Sequence, residues 1–399
     1  MVTKNISADP RKGRTMNYRE LGTTGLHVSE IGFGAEWMEK KSFEDVRTVA
    51  ERCRKAGINI LDCWMPAPEV RSTLGYAIEG HRDHWIIQGH IGSTWQDGQY
   101  VRTRDLAFVK PAFEDLFERL GTDHIELGMI HYVDDVQEFR DIMAGPFMAY
   151  VRELKAAGTI EHIGLSTHRP EVGLLAAAEP EIEHIMFSVN PAFDMMPAAT
   201  ELDALFADNA FDSDELAGMD PARTELYAAC ERTGTGITVM KGFAGGRLLD
   251  GARSPFGVAL TPVQCIHYAL TRPAVASIMV GYDTVKHVDE AVAYETATPE
   301  ERDYASVLAG APAHAYYGQC TYCGHCAPCA VGINIAMVNK FYDLTVMGDS
   351  DEVPTSVRNH YRTLSVGADA CIGCRECEAR CPFGVPIAER MEAAAELFA

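Results

Sequence analysis

The sequence predicts an α/β chain, a closed (β/α)8 TIM barrel followed by a smaller, mainly helical domain rich in cysteine. Three observations carry this expectation. Eight short β-branched runs alternate with longer helical patterns over the first 295 residues. No Gly-x-Gly-x-x-Gly follows the first of these runs, which disfavours the open doubly wound sheet. Eight of the twelve cysteines fall after residue 319, in two tight groups.

The predicted strands are 31–35, 58–63, 85–90, 125–131, 160–166, 185–190, 236–241 and 275–281. A helical pattern follows nearly every one. In SFEDVRTVAERCRKAG, Ser42 is placed to N-cap, and Phe43, Val46, Val49, Ala50 and Cys53 form one apolar face. Gly57 supplies the left-handed stop. In TPVQCIHYALTRP, Thr261 caps, Pro262 opens the helix and Gln264 completes a capping box. Eight such βα units close into a parallel barrel. One unit departs from the pattern. An acidic segment, residues 191–220, follows the sixth strand where a helix is expected, at the barrel end where sites are built, and reads either as a lid or partner-docking loop or as a neutral insertion. A capped helix is expected from Thr298 onward. The domain expectation is a polar tail over 1–16, the barrel over 17–296, and a linker helix with the cysteine-rich domain over 297–399.

The net charge of −22 disfavours nucleic acid and anionic membrane surfaces as partners. No apolar run is long enough to span a bilayer, and the first residues lack a secretory pattern, so a cytoplasmic chain is expected. A disulfide framework belongs to small secreted domains, so twelve cysteines point instead to metal or cluster ligation.

In ACIGCRECEARCPFG, Cys371, Cys374, Cys377 and Cys381 have the C-x2-C-x2-C-x3-C-P spacing of bacterial-ferredoxin 4Fe–4S ligation. Three thiolates two residues apart wrap one face of a cubane, and the fourth turns away to a second cluster. CTYCGHCAPC supplies Cys320, Cys323, Cys326 and Cys329, with a shorter last gap. By this pattern Cys320, Cys323 and Cys326 pair with Cys381, and Cys371, Cys374 and Cys377 pair with Cys329. Two CxxC pairs could instead form a zinc ribbon, but eight cysteines exceed what one zinc needs. Two 4Fe–4S clusters in a ferredoxin-like domain are therefore expected. Cys53, Cys230 and Cys265 are expected to be inert buried thiols, and Cys63 and Trp64 to serve packing.

The stretch YRELGTTGLHVSEIGFGAEWM, residues 18–38, resembles the opening of aldo–keto reductases, where a hairpin closes the barrel floor. NILDCW, LGMIHYVDD, HIGLSTH, VMKGFAGGRLL and IMVGYDTVKHVDEAV resemble that family's second-, fourth-, fifth-, seventh- and eighth-strand segments. The cysteine-rich tail resembles the extension of one branch of it. The resemblance implies an oxidoreductase using an aspartate, a tyrosine, a lysine and a histidine. The tyrosine gives a proton to the carbonyl oxygen, and the lysine and aspartate lower its pKa. Asp62 and His131 match. The tyrosine position is Ala67 and the lysine position is His90. Tyr132 follows His131, but strand alternation points it away from the pocket.

The resemblance also implies NAD(P) as candidate cofactor, at Ser166, Lys241, Gly245, Gly246, Arg247 and Lys286, on an altered site. Met186 stands at the amide-binding glutamine position and Lys241 at the ring-stacking aromatic. Asp283 would oppose a 2′-phosphate that Lys286 would favour. Asp62, His90 and His131, with His168 beyond them, cluster at the C-terminal ends of strands two to five. There His90 could replace the lost acid and His131 could donate to an oxyanion.

Clusters pass single electrons and nicotinamide passes a hydride, so an intermediary is expected; a ferredoxin or flavoprotein is the candidate partner. The leading expectation is an anaerobic iron–sulfur oxidoreductase acting on a small carbonyl or hydroxyl compound. The alternatives are a non-catalytic electron-transfer subunit with a degenerate barrel site, and a metal-dependent lyase or isomerase using Asp62, His90 and His131.

Overall fold

The computed structural model describes residues 16–399 apart from 40, 208, 214, 215, 217, 315, 317 and 347–352. The expected polar tail lies outside the described residues, except for Met16. The chain opens with an antiparallel hairpin, β1 (Tyr18–Glu20) and β2 (His27–Ser29). It lies under the barrel floor, where Thr23 N–H donates 2.9 Å to the Gly234 carbonyl. Gly22 has φ +55°, and a Cβ there would stand 2.3 Å from the same oxygen. Only glycine lets the two backbones approach this closely.

The barrel strands are β3 (Ile31–Gly34), β4 (Ile60–Cys63) and β5 (Ile86–Ile91). A second hairpin, β6 (Ser93–Gln96) and β7 (Gln99–Arg102), then leaves the barrel. The barrel resumes with β8 (Ile125–Ile130), β9 (Ile160–Thr167), β10 (His184–Ser188), β11 (Gly236–Met240) and β12 (Val275–Gly281). The closed order is β3-β4-β5-β8-β9-β10-β11-β12, returning to β3. All eight expected strands are present, within two residues at each end.

Strand parity decides what faces the lumen. Ile60, Leu127, Met129 and Met186 belong to an inner apolar cluster with Leu21 and Val28 of the floor hairpin. Leu61, Cys63, Ile87, Ile91 and Ile130 belong to the outer core beneath the helices. Asp62 and Gln88, paired in register across β4 and β5, therefore share the inner face with His90.

The helix Phe43–Ala56 is capped by Ser42 and stopped by Gly57 at φ +92°. Phe43 is half exposed, however, and meets Tyr76 edge-on instead of joining the core. The capping box of Thr261 and Gln264 is complete. The helix expected from Thr298 begins later. Thr298 and Glu301 cap one another in a turn, and the helix runs Tyr304–Ala309 from the Asp303 cap. After Asn190 the chain makes two short helical turns, Pro191–Asp194 and Leu202–Leu205.

The C-terminal region contributes helices Ile335–Val346, Thr355–Tyr361, Glu376–Ala379 and Ile387–Phe398. Phe341, Leu344 and Val357 pack on Ala228 of the barrel helix Pro221–Thr233. Among the described residues, no helix is long and apolar enough to cross a membrane.

Candidate functional site

A polar column runs up the lumen through otherwise apolar surroundings. His184 Nε2 lies 2.7 Å from the Thr238 hydroxyl, which donates 3.0 Å to Gln88 Oε1. The Gln88 amide donates 3.1 Å to Asp62 Oδ1. His90 Nε2 lies 3.0 Å from the same oxygen, and His90 Nδ1 lies 2.8 Å from His131 Nδ1. The structure thus brings Asp62, His90 and His131 together, and they are only 2%, 3% and 6% exposed.

The next link has no counterpart in the sequence reading. Tyr100, from β7, puts its hydroxyl 2.8 Å from His131 Nε2. It is 39% exposed, so the column ends at solvent. Trp64 stacks on His131 with ring centroids 5.8 Å apart and planes 8° from parallel, and meets Tyr100 edge-on. The role of Trp64 is thus to wall the site. The hairpin is fastened to the turn after β8. Arg102 and Arg104 donate to the Tyr132 carbonyl, Arg104 also to that of His131, and Ser93 to the Trp64 carbonyl. A signal for the hairpin existed. Asp97-Gly98 at φ +50° and +78° forms a two-residue turn between extended segments, the favoured hairpin signature.

Burial, reinforced by His90, Arg104, Arg102 and His168, holds His131 well below the usual imidazole range. Burial likewise raises Tyr100, keeping its phenol protonated. His184 is pushed down to about 3, chiefly by burial. Tyr132 adopts φ +48° and sets its ring edge-on to His168 and tilted 6.2 Å from that of His131, while the hydroxyl that meets His131 is that of Tyr100. His168 is held by Asp134, 2.9 Å away, in a separate pair.

The candidate nicotinamide residues are more dispersed. The Ser166 hydroxyl accepts from Tyr132 N–H at 2.7 Å. Gly245 and Gly246, at φ +65° and +83°, form a tight loop. The acidic segment lies over that loop. Arg247 donates to the carbonyls of Phe206 and Ala207 at 3.0 and 3.1 Å, and the Lys241 ammonium sits 5.8 Å from the Phe206 ring centre. A Cβ on Gly245 would meet Phe206 at 3.1 Å. Lys286 is exposed and paired with Glu290, while Asp283 is paired with Lys41.

The C-terminal cysteines of the two sequence groups come together. Cys329 lines one hollow with Cys371, Cys374 and Cys377, floored by Ile333, Ile335 and Met391. Burial first, then the neighbouring thiols Cys323, Cys381 and Cys377, push Cys326 up to about 12. Cys323 feels Cys381, and Cys320 feels Cys323. Among the described residues, no three His, Cys, Asp or Glu side chains converge tightly enough to hold a metal ion. Cys53, Cys63, Cys230 and Cys265 are buried, with thiols raised by desolvation.

The aldo/keto reductase family matches residues 30–257. An uncharacterized oxidoreductase of Bacillus subtilis, YqkF, is 28% identical over 189 residues, covering 46% of this chain and 58% of its own. Aldo-keto reductase YhdN of the same organism is 29% identical over 169 residues, covering 38% and 47%. The chain thus spans about half the length of the curated relatives it matches. Among solved structures, the holo form of aldo-keto reductase AKR11C1 from Bacillus halodurans superimposes with a TM-score of 0.58 at 23% identity, covering 76% of this chain and 98% of that one. PA4992 from Pseudomonas aeruginosa gives 0.53 at 25% identity, covering 70% and 94%.

Proposed function

The chain belongs to the aldo/keto reductase family, and on that premise we propose that it is a cytoplasmic oxidoreductase interconverting a small carbonyl compound and its alcohol, with electrons exchanged through two 4Fe–4S clusters. The observation that carries the cluster half is the meeting of the two cysteine groups. Cys329 lines a hollow with Cys371, Cys374 and Cys377, and Cys381 lies near Cys323 and Cys326, with Cys377 also close to Cys326. A single zinc does not call for that exchange; ferredoxin ligation does.

The surroundings fit an anionic group. Arg272 is fully buried, yet among the described residues its Nε and Nη1 have no partner, and it lines a cavity with Cys320, Tyr322 and Arg390. Among the described residues, buried Arg380 Nε and His325 Nδ1 are also unpartnered, and Arg380 reaches the carbonyls of Cys326 and Pro328. Unpaired buried donors are costly in an empty apolar site and favourable beside thiolate-held negative charge. Cys320, Cys323, Cys326 and Cys381 would hold one cluster against the barrel. Cys371, Cys374, Cys377 and Cys329 would hold the other, where Cys374 and Ile372 are exposed. Bound there, the clusters supply one-electron transfer. A ferredoxin or flavoprotein would exchange electrons at this exposed side.

In the barrel, Asp62, His90 and His131 manage the proton of the carbonyl/alcohol couple. NAD(P) remains the candidate second cofactor, at Ser166, Lys241, Gly245, Gly246, Arg247 and Lys286. Reaching the loop requires a phosphate to replace the carbonyls of Phe206 and Ala207 on Arg247.

The test is anaerobic purification with iron and sulfide analysis, followed by assay of a panel of small aldehydes and ketones with a reduced one-electron carrier and, separately, NADPH. About eight irons per chain are expected, with carbonyl reduction driven by the one-electron carrier. Iron-free protein, or protein whose only reductant is NADPH at unchanged rate after iron removal, would sink the proposal.

A further inference from the structure

Tyr100 occupies no position at which the family's pattern places a proton donor, yet it ends a continuous hydrogen-bonded chain that starts on a buried carboxylate. We propose that Asp62, His90, His131 and Tyr100 form a one-proton switch. Adding a proton reverses every hydrogen bond from His90 outward, so Tyr100 offers a lone pair to a substrate hydroxyl in one state and its O–H to a substrate carbonyl in the other. The use of the switch rests on the carbonyl/alcohol reading above; its existence does not.

The direction of each bond follows from what its atoms can do. The Asp62 carboxylate only accepts. Its Oδ1 takes one hydrogen from the Gln88 amide, whose orientation is fixed because its own oxygen accepts from Thr238. His90 Nε2, 3.0 Å from the same oxygen, therefore carries hydrogen. In neutral His90, Nδ1 is then a lone pair and accepts from His131 Nδ1 at 2.8 Å. That makes His131 Nε2 a lone pair, which accepts from the Tyr100 hydroxyl at 2.8 Å. All four groups are satisfied with hydrogen bonds pointing inward, and the free lone pairs of Tyr100 face outward. This is the proton-accepting state.

When a substrate hydroxyl gives its proton to the Tyr100 oxygen, Tyr100 passes its own to His131 Nε2. His131 passes the Nδ1 proton to His90 Nδ1. The substrate O–H bond breaks, one N–H bond is gained at His90, and Tyr100 and His131 end with the proton count they began with. Only a proton moves; no oxidation state changes in this step. His90, now doubly protonated, rests against the Asp62 carboxylate. Every bond from His90 outward points outward, and running the sequence backward delivers a proton to a carbonyl oxygen.

The environment assigns storage to His90 and conduction to His131. His131 faces His90, Arg104, Arg102 and His168 and is buried, which keeps it neutral. His90 faces Asp62 and His131, with neutral His184 below in the lumen. Tyr100 faces Arg102, Arg104 and Tyr132. Trp64, flat against His131, leaves Tyr100 as the outlet of the chain.

The switch is read in histidine side-chain 15N NMR of the full, oxidised, air-protected chain labelled at histidine, with no substrate added. At high pH His131 carries its hydrogen on Nδ1 and His90 on Nε2. As pH falls, His90 gains a second hydrogen and His131 moves its hydrogen to Nε2 with the same midpoint. Tyr100→Phe, at a half-exposed hairpin position, removes the acceptor that the switched His131 needs, so the midpoint of the His131 tautomer change moves to lower pH by about one unit, tenfold in proton affinity. A His131 that keeps Nδ1–H while His90 titrates overturns the switch, as does a tautomer midpoint unmoved by Tyr100→Phe. A wild-type chain that switches but reduces no carbonyl supports the relay and overturns the oxidoreductase reading. Carbonyl turnover unchanged in Tyr100→Phe, with the tautomer switch intact, overturns the outlet role of Tyr100 alone.

Discussion

The guanidinium of Arg272 donates to the Thr321 carbonyl across the seam between the barrel and the first cysteine loop. The Tyr304 hydroxyl donates to the same carbonyl at 2.7 Å, and the Arg272 guanidinium stacks 4.4 Å from the Tyr268 ring centre. One face of a fully buried cation is thus spent holding the loop, and its remaining N–H groups stay unpaired among the described residues.

With the clusters bound as proposed, those N–H groups would set the potential of the one held by Cys320, Cys323, Cys326 and Cys381, the inner cluster. A buried positive charge that donates toward a thiolate-held cluster favours the reduced, more negative form. Arg272→Lys keeps the charge and loses the fork, and is expected to lower the midpoint of the inner cluster by roughly 60 mV for each tenfold loss of preference. Potentiometric titration followed by electron paramagnetic resonance reads this. An unchanged pair of midpoints would show that Arg272 serves the seam alone.

The cover on the Gly245–Gly246 loop predicts a gain of binding. Phe206→Ala removes the ring packed on Gly245 and beneath Lys241. NADPH affinity, followed by fluorescence, is expected to tighten about fivefold, roughly 1 kcal/mol. Arg247→Met should abolish whatever binding is measured. Equal affinities in all three chains would place the dinucleotide elsewhere.

Glu295 predicts a pH-dependent stability. Its carboxyl, beside Asn17 of the floor hairpin, is raised to about 7, by burial first. The folded value lies above the ordinary 4.5, so the folded chain resists ionisation. The neutral form's advantage is present below about 4.5 and is lost as pH rises toward 7. Glu295→Gln should therefore raise Tm at pH 8 and leave it unchanged at pH 4. Because the group is partly solvated, the gain is at most about 1–2 kcal/mol. Equal shifts at both pH values would contradict the assignment.

Gly22→Ala should destabilise the floor. The substitution combines a left-handed backbone with a Cβ 2.3 Å from the Gly234 oxygen. A loss of about 2–4 kcal/mol is expected in chemical denaturation. A neutral result would mean that the hairpin lifts away freely.

The barrel was legible because parallel strands buried on both faces read as apolar runs, and because caps such as Ser42, Thr261 and Gly57 mark helix ends locally. The meeting of Asp62, His90 and His131 followed from their place at strand ends. Tyr100 was not found, although Asp97-Gly98 announces its turn. The residue that it touches is 31 positions later, and nothing local says that a hairpin will fold back over a strand end. The delayed helix start at Tyr304 has a similar cause. Thr298 and Asp303 are both competent caps, and tertiary packing of Tyr304 selects the second. The grip of Arg247 on Phe206 and Ala207 joins residues some forty positions apart through backbone carbonyls, which carry no sequence signature.

Because Tyr100 stands on β7, a strand that among the described residues pairs only with β6, outside the cylinder, the hairpin's turn can vary in length without changing the pairing of the staves. The terminal hydroxyl is therefore separable from the container beneath it. Swapping or extending this one ribbon offers a route to redirect the enzyme toward larger or differently shaped molecules while the eight-fold frame and its cysteine-bearing appendage remain untouched.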